Sequence, residues 1–262
     1  MLRRILSLNE AEVAKIDGEE RIEAHARILA RKPLLRDVFI DLHKNMRKLD
    51  ERHFGTTPGL RVEIGAGVSP MRNSYPDVLA TDLVSGPGLD RVLDAQAMDL
   101  PKEGVRVIYG QNTFHHLPEP CRFFNELMRV LHPGGGTILI EPFHGPFASL
   151  LYPRLFRSEG FDKGAPTWET AMDGPMNGAN QALSYIVFRR DRALFQTKFP
   201  KLRIVEEQPL TSALRYLCSG GLNFRQLVPN WSASALRGIE FALSSTVGFW
   251  ALHQVIVLRR EP

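Results

Sequence analysis

The chain has 262 residues, 44% hydrophobic and 24% charged, with a formal net charge of +4. That balance suits one or two globular domains and excludes a disordered chain. Its two cysteines, Cys121 and Cys218, give no disulfide framework and fit a reducing compartment, and its scattered lysines and arginines argue against a nucleic-acid partner.

The start, "MLRRILSLNEAEVAK", has a short apolar stretch followed by Glu10 and Glu12, so no signal peptide is expected and the chain reads as cytoplasmic. Residues 9–52 read as helix: Ile22, Ala26 and Leu29 recur at helical spacing, and Leu34, Val38 and Leu42 repeat it after Pro33. "GTTPG" (55–59) breaks the pattern. A strand at about 60–64 then runs into "VEIGAGVSP", two glycines one residue apart followed by a proline suited to open a helix.

"DVLATDL" (77–83) reads as a second strand, "DRVLDA" (90–95) as a third and "VRVIYG" (105–110) as a fourth. The "VSGPG" between the second and third is too short and too rich in Gly and Pro for a crossover helix. "EPCRFFNELMRVLHPGGG" predicts a helix with Phe124, Leu127, Met128 and Leu131 on one face, ended by "HPGGG", and "TILIEPF" (137–143) a fifth strand. Strands alternating with helices or loops point to a doubly wound, mostly parallel sheet.

After Phe143 the pattern changes. Residues 158–180 are rich in Gly, Pro and Asn without periodicity, flanked by helices at about 146–157 and 181–197. "LRIVEEQPL" (202–210) and "WALHQVIVLRR" (250–260) close the sheet as its sixth and seventh strands. The apolar stretch 239–258 contains Glu240, His253 and Gln254 and falls short of a spanning helix, leaving room for contact with a membrane surface only.

The glycine stretch decides the ligand class. A phosphate-binding P-loop is excluded, because no Gly-Lys-Ser/Thr follows. A dinucleotide fingerprint is weakened, because Pro70 stands where its third glycine belongs.

Four features stand in order over residues 60–142, Glu63 to Gly67 with Asp82, Asp94 to Pro101, Asn112 to Pro118 and Leu131 to Gly136, and together they resemble class I S-adenosylmethionine-dependent methyltransferases. Glu63-Ile64-Gly65-Ala66-Gly67 matches the acidic-x-Gly-x-Gly loop, with Asp82 closing the second strand. Asp94 to Pro101 is similar to the "DA..LP" stretch, Asn112 to Pro118 to the fourth-strand exit, and Leu131 to Gly136 to the "LkPGG" turn. Three departures stand out: Ser69 replaces a frequent third glycine, Arg106 stands near a usual acid, and the "DA..LP" stretch is one residue long.

The resemblance implies a Rossmann-like methyltransferase fold in a single domain, 1–262. It would comprise N-terminal helices (1–58), a cofactor half (59–142), a helical and loop cap (143–201), and closing strands with substrate-side helices (202–262). It implies S-adenosyl-L-methionine as cofactor, with Gly65, Ala66 and Gly67 bringing backbone near the methionine part and the following helix N-terminus favouring its carboxylate. Glu63 would help hold the ammonium, Asp82 with Leu83 the ribose, and Asp94, Ala95 and Gln96 the adenine, with Met98 packing; Asn112 would border the crevice.

The acceptor would be a small molecule, a glycan or a lipid-linked precursor methylated at oxygen, with His116, His115 or His144 as the base. No metal is expected, since His115, His116, Glu141 and His144 lack a ligand-like spacing. Tyr152, Phe156, Phe161, Trp168, Tyr185 and Phe188 would build an aromatic wall, and 158–180, with Gly160, Gly164, Gly174 and Gly178, a mobile lid. The alternatives are a nicotinamide-dependent oxidoreductase and a non-catalytic cofactor-binding scaffold.

Overall fold

The computed structural model describes residues 18–155, 159–171 and 178–262. Helix α1 (Gly18–Ala30) is followed at once by α2 (Pro33–Phe54), with Pro33 in the first turn of the second helix. The expected helical stretch 9–17 lies outside the described residues. The strands are β1 (Leu60–Ile64), β2 (Val78–Asp82), β3 (Arg91–Val92), β4 (Val105–Gln111), β5 (Leu131–Pro142), β6 (Leu202–Pro209) and β7 (His253–Arg260).

They form one sheet in the order β3-β2-β1-β4-β5-β7-β6. β1 lies between β2 and β4 in parallel, β5 extends the parallel run, and β7 inserts antiparallel between β5 and β6. This is the expected doubly wound, mostly parallel seven-stranded sheet.

The two-residue period of a strand sorts side chains onto the two faces of this sheet. On β4, Val107 and Tyr109 join one core layer and Ile108 the other; Ile138 and Ile140 oppose Leu139 on β5 in the same way, as Val255 and Val257 oppose Ile256 and Leu258 on β7. The first layer is sealed by α2 through Leu35, Val38, Leu42, Met46 and Leu49. The second is sealed by α3 (Pro120–Val130) through Phe123, Phe124 and Leu127.

Three local departures from expectation have physical causes. β3 is cut to two residues because Leu93, Ala95 and Met98 turn inward to the core, while the Asp94 carboxylate accepts the Gln96 N–H at 2.8 Å and fixes a loop. α3 ends at Val130, and the glycines after it lie inside β5 rather than capping the helix. A Cβ on Gly136 would collide with the Leu258 carbonyl and the Phe54 ring, and one on Gly135 with the Arg106 carbonyl. Arg106, which departs from the family pattern, has a partner at hand. Its Nε donates to the buried Asp50 at 2.7 Å, and Asp50 also accepts from Arg61 Nε and the Tyr109 hydroxyl, both at 2.9 Å.

The chain between β5 and β6 carries α4 (Pro146–Leu155), α5 (Leu183–Tyr185), a π turn (Ile186–Arg190) and α6 (Arg192–Lys198). Between β6 and β7 lie α7 (Ala213–Ser219), α8 (Ala233–Ala242) and α9 (Val247–Trp250). Trp168 and Phe188, expected on a wall over the site, are instead core. Both pack on Phe124, and the Trp168 indole N–H donates to Asp191 at 2.9 Å. Phe156 lies outside the described residues.

The described part of 158–180 is fastened to the body. Thr170 N–H bonds the Pro118 carbonyl, Asn180 N–H the His115 carbonyl and Gln181 N–H the Gly160 carbonyl, and Phe161 stacks on Tyr152. These contacts hold the described part of the segment against the body; residues 158 and 172–177, with Gly174, lie outside the described residues.

Candidate active site

A cavity of about 200 Å³ opens at the C-terminal edge of β1 and β4, where open α/β sheets hold their ligands. Its floor is the glycine loop after β1. Gly65 and Gly67 both take left-handed φ, +59° and +52°, and a side chain on Gly65 would strike Thr113. The loop is tied to the end of β2: Ala66 N–H donates to the Thr81 carbonyl at 3.0 Å and Gly67 N–H to Asp82 Oδ2 at 2.9 Å. Those two amides are therefore engaged within the protein, and what the glycines supply is close approach of backbone.

No α-helix follows this loop, contrary to expectation; Pro70 leads only into a 3₁₀ turn, Met71–Asn73. Glu63 explains the turn. Its side chain is buried and its Oε2 accepts the Met71 N–H at 2.7 Å. Burial pushes the Glu63 carboxyl up to about 8, with the neighbouring Asp82 adding to the effect, so it stands protonated at neutral pH. Arg21 of α1 brings a guanidinium to the cavity wall.

Asp82 is buried at the end of β2, and burial raises its pKa against the bonds it accepts from backbone N–H groups. Neither Asp82, Leu83, Asp94, Ala95 nor Gln96 lines this cavity. Gln96 Oε1 accepts the Glu119 N–H at 2.8 Å and Met98 is core. The predicted site residues thus divide: Glu63, Gly65, Ala66, Gly67, Asn112, His115 and His116 share the cavity, while the ribose and adenine candidates lie along the β2 and β3 edge outside it.

The far wall is a 3₁₀ turn, Phe114–His116, organised by Glu141 at the end of β5. Asn112 enters it in the left-handed region, φ +53°. The fully buried Glu141 carboxylate accepts the N–H groups of Thr113 (3.0 Å), Phe114 (2.8 Å) and His115 (3.3 Å), and the His115 ring Nδ1–H at 2.6 Å. His115 Nε2 faces Glu159 at 3.7 Å, and Gln181 Nε2 holds Glu159 at 2.5 Å. Burial opposes the His115 cation, but the two carboxylates prevail and raise it to about 9.

His116 behaves oppositely. Burial, with the charge on His115, lowers it to about 4, so it is a neutral imidazole whose buried Nδ1 has no hydrogen-bond partner among the described residues. Glu159 is drawn down to about 2: burial opposes its charge, but His115 and Gln181 stabilise the carboxylate. His144 does not line the cavity; its ring packs on Phe143 and Tyr185.

Sequence reading missed Glu159, Gln181, His25, Tyr216 and His253 on this wall. They stand far apart in sequence, in no motif, and only the order of the folded elements brings them together. His115, His116 and Glu159 bring one donor atom each within 4.8 Å of one another, a grouping that His spacing alone does not reveal.

Residues 22–139 match the model of the family described as methyltransferase domain. A search of curated proteins finds no match. Among solved structures the chain is similar to a phosphoethanolamine N-methyltransferase 2 of Haemonchus contortus in complex with S-adenosyl-L-methionine, at 11% identity and a TM-score of 0.46, covering 85% of this chain and 52% of that one. It spans about half the length of that enzyme.

It is also similar to a geranyl diphosphate C-methyltransferase of Streptomyces coelicolor A3(2) in complex with S-adenosyl-L-homocysteine. That match has 11% identity, a TM-score of 0.48, and coverage of 97% and 88%. An S-adenosylmethionine-dependent methyltransferase of Mesorhizobium loti matches at 13% and 0.43, over 81% and 96%. These scores record likeness and are too low to carry a substrate across. The family match spans residues 22–139, and the glycine loop, Asp82 and the strand-exit turn that lie within it are now placed on the sheet.

Proposed function

We propose that this protein is a class I S-adenosylmethionine-dependent methyltransferase that methylates an oxygen of a small-molecule, glycan or lipid-linked acceptor, with His116 taking the acceptor's proton. The observation that supports this most is that one cavity joins the glycine loop to a neutral, partly unpartnered imidazole. Methyl transfer forms the oxygen–carbon bond as the sulfur–carbon bond breaks. With the cofactor bound, the electron pair of the broken bond would stay on its sulfur, and His116 would take the hydroxyl proton, its imidazolium stabilised by the Glu159 carboxylate. His115 holds the turn through Glu141 and is not the base; His144 has no part.

The methionine end of the cofactor would lie over Gly65 to Gly67. Arg21 suits its carboxylate, and a bound ammonium would draw the proton off Glu63. The ribose would meet Asp82, and the adenine the loop of Asp94 to Gln96.

The test begins with calorimetry using S-adenosylmethionine, S-adenosylhomocysteine and NAD; binding of NAD alone would overturn the reading. Incubation with methyl-labelled S-adenosylmethionine and fractionated small-molecule, glycan and lipid extracts then identifies the acceptor class. With the labelled fraction, His116→Gln should lower the rate by about 10²–10⁴-fold, the usual worth of a positioned base. Cofactor affinity should stay unchanged; an unaltered rate would remove His116 from the chemistry.

Asp82→Ala should weaken S-adenosylhomocysteine binding by about 2–4 kcal/mol, because two charge-assisted bonds of roughly 1.5–3 kcal/mol each are partly replaced by water. Loss of the Gly67 tether acts in the same direction. A folded variant with an unchanged dissociation constant would place the ribose elsewhere.

A further inference from the structure

From Leu227 to Trp250 the chain exposes large apolar groups to an extent found nowhere else among the described residues. Trp231 and Phe241 are each 82% exposed and Phe249 62%, accompanied by Leu227, Ile239 and Leu243. They lie on the 3₁₀ turn Asn230–Ser232, α8, and the turn and helix after it. α9 packs beside α4, which adds Leu150 at 52% exposure. Isolated exposed leucines are ordinary, but a run of exposed Trp and Phe marks a surface with a partner.

The charges say which partner. Between Leu222 and Trp250 the ionisable residues are Arg225, Arg237 and Glu240. The lone acid is buried, accepting the Arg215 N–H at 2.9 Å and its Nε at 2.7 Å. Arg237 is engaged with Asp37 and Asp41 of α2, while Arg225 and, at the end of α4, Arg154 are exposed. Among the described residues, the cations that border the apolar face without a carboxylate partner are therefore Arg225 and Arg154, since Arg237 is neutralised by Asp37 and Asp41.

A second copy meeting this face symmetrically would set like charges against like. An anionic bilayer would pair with the arginines and take the aromatic rings at its interface. Among the described residues no helix is long and apolar enough to cross a membrane, so the contact would be peripheral.

We propose that the face built by residues 227–249 and Leu150 docks the enzyme on an anionic lipid surface. α4 also reaches the cavity, through Tyr152, and the chain just before the face lines it with Tyr216, Leu222 and Asn223. Docking would thus bring the cavity wall close to the lipid headgroups. The proposal goes beyond the reading of the active site and stands whichever acceptor is methylated.

The test is sedimentation of the full chain with vesicles of phosphatidylglycerol and, separately, of phosphatidylcholine. Wild type should partition onto phosphatidylglycerol, and less onto phosphatidylcholine, with a blue shift of Trp231 emission. The triple variant Trp231→Ser/Phe241→Ser/Phe249→Ser should lose about tenfold or more of that partition. Its S-adenosylhomocysteine affinity should be intact, which verifies the fold and separates this outcome from failure of the catalytic reading. Equal partition of the two proteins, or no partition with a concentration-dependent dimer that the triple variant abolishes, would overturn the proposal.

Discussion

Replacing Glu141 by alanine should destabilise the protein by about 3–5 kcal/mol, the cost of leaving buried polar partners uncompensated. One carboxylate there serves three consecutive backbone amides and the Nδ1–H of a buried histidine. Each buried donor left unpaired costs roughly 1–3 kcal/mol, and partial collapse or an entering water recovers some of it. The change also releases His115, whose charge the carboxylate holds, and with it the turn that aims His116 at the cavity. Glu141→Gln should fall between the two, because its amide oxygen still accepts from the backbone while its charge is gone. Urea unfolding of the three proteins at neutral pH checks the order; a Glu141→Ala variant within about 1 kcal/mol of wild type would mean that the turn is held by other contacts.

Glu141 also shows where sequence reading ends. The glycines, the strand-ending Asp82 and the His-His pair sit within short local patterns, and a local pattern survives in sequence because one loop must make it. In the sequence Glu141 is visible only as an acid near His144, whereas its partner is His115, 26 residues earlier and one strand across. Glu159, Gln181 and His253 reach the same wall from three separate elements, so no spacing announces them.

The strands are legible because burial on both faces of the sheet leaves a dense apolar run in each segment. The aromatic wall is not, because Trp168 and Phe188 look the same in sequence whether they cover a ligand or fill a core. The helix expected after the glycine loop is replaced by a short turn, since the Glu63 carboxyl reaches forward eight residues to hold the Met71 N–H.

Stability should pass through a maximum near about pH 6.5 and fall on both sides, because the buried histidines and acids titrate away from their ordinary values in opposite senses. His25, His43, His116 and His253 are each lowered to about 4, in every case chiefly by burial. They are neutral in the folded protein, while in the unfolded chain they take up protons near 6.5. The unfolded state therefore binds more protons between about pH 4 and 6.5, and stability is lost as pH falls through that window. One proton of difference is worth about 1.4 kcal/mol per pH unit, so four approach roughly 5 kcal/mol per unit. A domain holds only about 5–15 kcal/mol in all.

Glu63 opposes one of the four, since its folded value near 8 exceeds the ordinary 4.5 and its contribution is lost as pH rises between them. His115, raised to about 9, contributes fully below 6.5 and loses that contribution as pH rises toward 9. Above 6.5 the four histidines no longer change, so Glu63 and His115 together bend the curve down. Lys32, lowered to about 8 by burial, gains stability at higher pH and limits the decline there. Urea midpoints at constant ionic strength from about pH 5 to 8.5 trace the curve. His43→Gln and His253→Gln should flatten its acid limb, and Glu63→Gln and His115→Gln its alkaline limb. A profile that rises steadily across the whole range would show that Glu63 and His115 ionise as they do in the unfolded chain.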